Sequence, residues 1–543
     1  MSIFGDHQKK VGLFRVAIFG AAVCALLTIF SACNFRVVRD PKILVQNLDA
    51  DPSTLNPLVA TDAVAFAVLR NVYESLLERD NETLELKPRL ASSWTVSPDH
   101  LTYTFTIRDG VRWHDGVLFT ADDVIYSFER IRDPKVDAAS LRSYFKDVIS
   151  VKKLDEKTVR FTYSRPYFKA LEICGGIPIV PKHVFDDGTV FNTHAANRKP
   201  IGTGPYRFVS WETGRLINIE ENPDYWDKKP RIVGIVFRVI PNSTVVFQLL
   251  KKGDLDLAGL RAIQWERQTE MPSFSKRFDK YRYWLPNYSY IGWNLRKPFF
   301  QDRRVRIAMT MMLNRASILK ELLFGQGDLV SGNFYRFGKN YDEKIEPYPF
   351  DPAKAASLLD QAGWIDHDGD GIRDKDGVPF RFTYLVAAGS RMGQNIGLML
   401  RENLLRAGIE MDVRSLEWAA MLKSIASRDF DAVMLAWSTS IDEEPYQLWH
   451  STQAAQGSNF IGFQNPEADR LIEKARVEFD PARRAVMYKK LHSLIHYEEP
   501  YTFLFISPSL VAVAKRFTDV KAYKVGLDMT EWGVKPWATL KEW

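Results

Sequence analysis

The chain has 543 residues, with 73 Lys and Arg against 67 Asp and Glu, so its formal net charge at pH 7 is +6. This mild charge comes without a basic block or a basic-aromatic stripe, which argues against nucleic acid as a partner. Hydrophobic residues make up 46% and aromatic residues 13% of the chain. That composition is typical of a globular protein, and at about 150 residues per domain the length predicts two to four domains.

The beginning of the chain combines three features in order. Cations between residues 9 and 15 precede an apolar run over 16–30, and two small residues then precede Cys33. Such an arrangement, with an apolar run too short to cross a bilayer, predicts a secretory signal over residues 1–32. The stretch FSAC resembles a bacterial lipobox, with Phe30 where Leu is usual, and this implies lipid attachment at Cys33. The alternative is an ordinary secretory signal in which Cys33 is incidental.

Strand and helix patterns alternate along the rest of the chain. Apolar periodicity and turn residues predict a strand over 43–46, a helix over 64–76, a hairpin over 94–107, helices over 351–359 and 396–408, and strands over 409–413 and 430–435. This alternation predicts α/β layers. Because no Gly/Ser linker separates the segments, we expect domains that interrupt one another in sequence.

A series of motifs resembles one family. They include YTFTIRDGVRWHDG at 103–116, FTADDV at 119–124, DPSTLNP at 51–57, GTGPY at 202–206, NPDYW at 222–226, GDLD at 253–256 and DPAKA at 351–355. Their order and density over about residues 41–543 resemble the family 5 extracellular solute-binding proteins, the oligopeptide and dipeptide binders of ABC importers. The motif residues themselves mostly suit turns and helix starts, so we interpret HDG at 114–116 as structural rather than catalytic.

The resemblance implies a bilobed α/β fold of the type II periplasmic-binding-protein class, with an extra α/β domain (cluster C) and a ligand cleft between the lobes. The expected segments are the signal at 1–32, lobe I at 33–75, 191–290 and 506–543, the extra domain II at 76–190, and lobe III at 291–505. A hinge motion would close the lobes on the ligand.

The resemblance also implies a set of ligand-binding residues. In peptide-binding members, a Trp opens a loop and an Asp three residues later holds the peptide's amino terminus; here these positions are Trp437 and Ser440. A buried ammonium needs a carboxylate, so we expect Asp442, and next Glu444, to take that role unless these acids are only loop surface. The full candidate set is Trp437, Ser438, Ser440, Asp442, Glu444, Thr61, Trp418, Trp293 and Asn294.

One acidic loop requires separate treatment. Oxygen-bearing side chains at Asp366, Asp368, Asp370 and Asp374, with a Gly at the sixth position, match the first half of an EF-hand loop. The twelfth position, which needs a bidentate Glu, is Gly377. We therefore favour a turn-rich connector over a structural Ca²⁺ site, and expect no other metal or cofactor.

These observations lead to one functional expectation with two alternatives. We expect a lipid-anchored, periplasmic or cell-surface monomer that binds peptides and delivers them to ABC permease transmembrane subunits with a cytoplasmic ATPase. The alternatives are the same role for a non-peptide solute, such as a nickel complex, haem or an oligosaccharide, and a peptide sensor without transport. No P-loop, HExxH or GxSxG motif is present, so we do not expect an enzyme.

Overall fold

The computed structural model describes residues 40–455 and 457–536. The expected signal segment 1–32 and the expected lipid-attachment residue Cys33 lie outside these residues. Within them, no helix combines the length and the apolar composition that a membrane span requires.

Three main sheets organise this part of the chain. The first lobe is built on a seven-stranded sheet, in the order Phe278–Tyr283, Ser509–Ala514, Leu257–Gly259, Ile43–Leu48, Gly234–Val239, Leu216–Glu221, Tyr206–Glu212. The second lobe is built on a six-stranded sheet, in the order Asp328–Leu329, Tyr501–Ile506, Asn287–Trp293, Ala432–Ser438, Arg381–Ala387, Glu410–Leu416. The extra domain carries an antiparallel four-stranded sheet, in the order Ala91–Val96, Thr102–Ile107, Thr158–Tyr163, Val148–Asp155.

Short hairpins and helices surround these sheets. The paired short strands are Leu77–Arg79 with Leu86–Pro88, Asp374–Lys375 with Val378–Pro379, Phe517–Thr518 with Gly533–Val534, and Ala522–Tyr523 with Gly526–Leu527. The α-helices are Ala63–Val72, Ala121–Arg132, Ala139–Tyr144, Ala170–Gly175, Lys182–Phe185, Ser243–Lys252, Pro272–Ser275, Arg303–Met311, Arg315–Ser317, Pro352–Gln361, Arg391–Arg406, Trp418–Ala426, Tyr446–Trp449, Pro466–Arg476 and Pro481–Glu498.

The strands of the second lobe place several loops at one edge of its sheet. Arg381–Ala387 runs parallel to Glu410–Leu416 and to Ala432–Ser438. Tyr501–Ile506 has the same direction, because it and Ala432–Ser438 both pair antiparallel with Asn287–Trp293. In open α/β sheets, ligands bind in the crevice outside the carboxyl ends of such strands. This edge is therefore where a ligand site is expected.

Two short links join the lobes. The chain leaves the first lobe after Tyr283 and enters the second at Asn287, and it returns between Ile506 and Ser509. The links thus lie at residues 284–286 and 507–508, whereas the sequence boundaries were expected at 290/291 and 505/506. Short paired links of this kind have the form of a hinge.

The extra domain is joined to the first lobe by a common apolar core. Phe105 and Phe161 of the four-stranded sheet and Ile219 and Phe237 of the seven-stranded sheet belong to one continuous cluster of buried side chains. The second lobe has separate clusters. We therefore expect the extra domain to move with the first lobe when the hinge bends.

A buried carboxylate explains two of the sequence motifs. Glu74 accepts hydrogen bonds from Thr203 Oγ1 at 2.9 Å, Tyr225 Oη at 2.8 Å and Trp226 Nε1 at 3.0 Å, and it pairs with Arg89 at 2.6 Å. The GTGPY and NPDYW motifs therefore meet at one side chain where the extra domain joins the first lobe. Their role is to hold the fold together.

Candidate functional site

A cavity of about 1120 Å³ lies between the extra domain and the second lobe. One wall comes from residues 75–86 and 139–178, and the opposite wall from residue 333 and residues 437–460. The second-lobe wall begins at the carboxyl end of the strand Ala432–Ser438. Its position between these two bodies, at the edge where the sheet strands end, makes it the candidate ligand cleft.

Trp437 and the loop after it form much of the second-lobe wall. The Trp437 ring is parallel to Tyr290, with 6.2 Å between ring centroids, and to Phe460 at 5.8 Å. Its Nε1 donates a hydrogen bond to Tyr501 Oη at 3.4 Å. Ser438 also lines the cavity. The aromatic stack thus fixes the start of the loop that carries the expected acids.

The adjacent acids of this loop differ in their surroundings. Asp442 Oδ2 lies 3.3 Å from Arg484 Nη2, and Asp442 is not part of the cavity wall. Glu444 lines the cavity and pairs with Arg476 at 3.5 Å. Each of these carboxylates therefore already has an arginine partner, and our expectation that Asp442 faces the ligand is corrected.

Glu443, between them, has no such arginine. Its side chain is buried, it lines the cavity, and its Oε2 has no hydrogen-bond partner among the described residues. Burial raises the pKa of Glu443 to about 8, against the opposing effects of hydrogen bonds from Thr439 and the Tyr335 backbone and of the positive charge of Lys169. An unpartnered buried carboxyl oxygen is costly unless another group satisfies it. Glu443 is thus the acid that is free to meet a cationic group in the cleft.

The two arginines also contact the extra domain. We call Arg476 and Arg484 the arginine clamp. Arg476 lies over the ring of Tyr167 at 4.5 Å and 3.6 Å from Asp147, while Arg484 lies over the ring of Phe168 at 3.9 Å. The Phe168 N–H donates to the Arg476 carbonyl at 2.9 Å. The clamp therefore holds the second lobe against the extra domain beside the cavity.

Ser440 takes part in a further contact across the cleft. Its Oγ accepts a hydrogen bond from Lys169 Nζ of the extra domain at 3.1 Å, and it donates to the Asp442 carbonyl at 3.0 Å. Sequence reasoning missed Lys169, although a lysine inside the apolar run PYFKAL at 166–171 is itself a signal, because lysines are rarely buried without a partner.

The remaining expected site residues lie elsewhere. Trp293 is fully buried and its Nε1 donates to Thr502 Oγ1 at 3.2 Å, and Asn294 is buried with its Nδ2 bonded to the Phe430 carbonyl at 2.7 Å. Both are core residues without surface for a ligand. Trp418 is 52% exposed at the start of the helix Trp418–Ala426, and Thr61 is exposed before a helix that Asp62 caps. Neither of these lines the cavity.

The acidic loop forms an exposed group. Carboxylate oxygens of Asp366, Asp368 and Asp374 lie within 4.8 Å of one another. Asp366 accepts hydrogen bonds from the N–H groups of Gly369 and Gly371, as in a tight turn. These contacts suit a connector, which stays our prediction for this loop.

Comparison with known proteins agrees with this architecture. Residues 85–459 match the family described as "Bacterial extracellular solute-binding proteins, family 5 Middle". The oligopeptide-binding protein AppA of Bacillus subtilis is 30% identical over 507 residues, which cover 91% of each chain. Its structure in complex with a nonapeptide gives a TM-score of 0.82 at 28% identity, covering 91% of this chain and 99% of that one.

A second solved structure has a different ligand. NikZ from Campylobacter jejuni, in complex with Ni(L-His), gives a TM-score of 0.80 at 26% identity and covers 91% of this chain and 100% of NikZ. The expected fold, two lobes with an extra domain, is therefore confirmed. The chain belongs to the bacterial extracellular solute-binding proteins of family 5.

Proposed function

We propose that this protein is the substrate-binding component of an ABC importer and that it captures peptides in the cleft between the extra domain and the second lobe. The observation that carries the proposal is Glu443, a buried carboxyl group on the wall of a cavity of about 1120 Å³ whose Oε2 has no hydrogen-bond partner among the described residues. A peptide's amino terminus supplies the cation that this carboxylate lacks.

The size of the cavity also favours a peptide. Drug-sized ligands occupy pockets of roughly 300–1,000 Å³, so this cavity has room for several residues. The Bacillus subtilis relative, which binds a nonapeptide, shares the fold over almost its whole length. In this proposal the peptide lies against the loop after Trp437 and the hinge closes the lobes over it.

The cellular setting completes the proposal. Cys33 carries the lipid that holds the protein at the outer face of a membrane, and the closed, loaded monomer delivers its peptide to permease subunits driven by a cytoplasmic ATPase. The protein carries out no chemistry on its ligand.

A non-peptide solute is the second candidate. The similarity to NikZ in complex with Ni(L-His) favours it, as does Ser440 in the place where peptide-binding relatives are expected to have Asp. However, none of the described residues lining the cavity is His or Cys, the side chains that bind nickel readily.

Native mass spectrometry of the purified full-length protein, before and after mild unfolding, tests the choice between these candidates. We expect released species that fragment as peptides; a released metal chelate, haem or sugar would overturn the proposal.

Calorimetry then tests the role of Glu443. Tetra-alanine should bind at pH 8, and acetylation of its amino terminus or the substitution Glu443→Gln should weaken binding at least tenfold. Asp442→Asn, which changes the neighbouring acid outside the cavity, is the matched control. Equal binding of the free and acetylated peptides would refute the role of Glu443.

A further inference from the structure

The extra-domain wall of the cavity carries two cations that share one carboxylate. Arg79 Nη2 lies 2.7 Å from Glu172 Oε2, and Lys169 Nζ lies 3.4 Å from the same oxygen. All three side chains line the cavity. Two positive charges against one negative charge leave this group with a formal charge of +1.

Lys169 is the more buried of the two cations. Its side chain is 10% exposed, and its contacts are Glu172 and the uncharged hydroxyl of Ser440. An ammonium group has three N–H donors, so these contacts occupy two of them. A buried cation of this kind is stabilised by a further acceptor, and most strongly by an anionic one.

Other carboxylates on the cavity wall do not supply that charge. Glu444 is paired with Arg476. Glu78 lies 3.4 Å from both Lys87 and Arg89. Burial raises the pKa of Glu443, so its neutral form is favoured at pH 7 until a cation approaches it. The positive charge of Lys169 lowers the pKa of both Glu443 and Glu444, but among the described residues its ion-pair partner is Glu172, which Arg79 shares. A ligand anion that reaches Lys169 directly would therefore still gain an ion pair.

We propose that Arg79 and Lys169 form a subsite for an anionic group of the ligand, so that the protein selects peptides bearing a carboxylate. This inference rests on the proposed peptide-binding function and deepens it. The carboxylate could be the carboxyl terminus of a short peptide or the side chain of Asp or Glu, and the chemistry of recognition is the same. With the amine at Glu443 on the opposite wall, such a zwitterionic ligand joins the extra domain to the second lobe.

Three tetrapeptides, titrated by calorimetry at pH 7 into the full-length protein, test this subsite. They are tetra-alanine with a free carboxyl terminus, its carboxyl amide, and Ala-Asp-Ala-Ala amide. We expect the amide to bind at least tenfold more weakly than one of the two acid-bearing peptides. Preference for the free acid assigns the terminal carboxylate, and preference for the Asp peptide assigns the side chain.

Substitutions at Lys169 and Ser440 test whether these residues cause the preference for acid-bearing peptides. Lys169→Met keeps the apolar stem and should remove the preference, whereas Lys169→Arg keeps the charge and should retain it. Ser440→Asp, which places a carboxylate beside Lys169 Nζ, should also reduce the preference. Lys157→Met, at an exposed lysine outside the cavity that pairs with Asp109, is the control and should leave it unchanged.

The outcomes separate the two proposals. If all three peptides bind wild type and Lys169→Met equally well, the anionic subsite is refuted while peptide binding stands. If none of the peptides binds and the co-purified ligand is not a peptide, the proposed function fails and this inference fails with it.

Discussion

Replacing Arg476 with Met should loosen the contact between the extra domain and the second lobe. The guanidinium group of Arg476 reaches across the cleft to Tyr167 and Asp147, and the Arg476 carbonyl accepts the Phe168 N–H. Met keeps an unbranched apolar stem but removes both charge-dependent contacts. The Phe168 amide is protected only while the lobes touch, so its hydrogen exchange reports the closed state directly.

The size of the effect follows from those two contacts. A partly desolvated cation–π contact such as that to Tyr167 stabilises by about 1 kcal/mol. The pair with Asp147, at 3.6 Å between side chains that are 10% and 14% exposed, adds about 1 kcal/mol. Contacts of Arg476 inside the second lobe persist on opening and are not counted. A total of about 2 kcal/mol corresponds to an exchange rate about 30-fold faster at Phe168.

Hydrogen exchange followed by mass spectrometry, on a fragment covering Phe168, is the assay. Arg470→Met, an exposed arginine on the same helix, is the matched control and should change nothing there. The double variant Arg476→Met, Glu444→Gln removes the carboxylate that the single variant leaves unpaired, and it should show the same acceleration. Exchange at Phe168 within twofold of wild type in both variants would refute the clamp.

Three further predictions concern stability. Burial raises the pKa of Glu443 from 4.5 to about 8, so between these pH values the folded state binds more protons than the unfolded state. The free energy of unfolding should therefore fall as pH rises through this interval. Urea titrations at pH 5 and pH 8 should show a smaller fall for Glu443→Gln than for wild type, and an identical fall would contradict the burial argument. Glu74→Ala removes the shortest ion pair of Arg89, although Glu78 and Asp227 still face it, and leaves the three side-chain donors to Glu74 without their common acceptor. It should cost about 3–5 kcal/mol in urea unfolding, with a loss below about 1 kcal/mol as the contrary result. Gly202→Ala places a Cβ 1.8 Å from the Val72 carbonyl oxygen and should lower Tm sharply, whereas Gly259→Ala, with open space around its Cβ, should not; equal Tm values would refute this close approach.

The fold was largely predictable because its signals are local. The strand expected at 43–46 is Ile43–Leu48, and the helix expected at 396–408 is Arg391–Arg406. The strand expected at 430–435 begins two residues later and ends three residues later, at Ala432–Ser438. Period-2 and period-3.6 patterns with turn residues at their ends are properties of short segments, and they need no knowledge of distant neighbours.

The site was less predictable because partners decide what each side chain does. Asp442, Glu443 and Glu444 are adjacent acids with no distinguishing local pattern. Which of them is paired with a cation depends on Arg476 and Arg484. These arginines come 32 and 42 residues after Glu444 and Asp442, the acids with which they pair. Trp293 and Asn294 were misplaced for the same reason, since the burial of both depends on strands and loops that sequence spacing does not locate.

The loop after Trp437 connects occupancy of the cleft with its closure. Ser440 contacts Lys169 of the opposite wall, Glu443 faces the cavity, and Glu444 holds Arg476 of the clamp. A peptide amine that draws Glu443 into its charged form makes an ion pair with it, so the two together add no net charge between residues that already touch the extra domain. The ligand then contributes to closure through its own contacts with both walls of the cleft. Ligand binding and lobe closure therefore use the same few residues, and a substitution at Glu443 should weaken both.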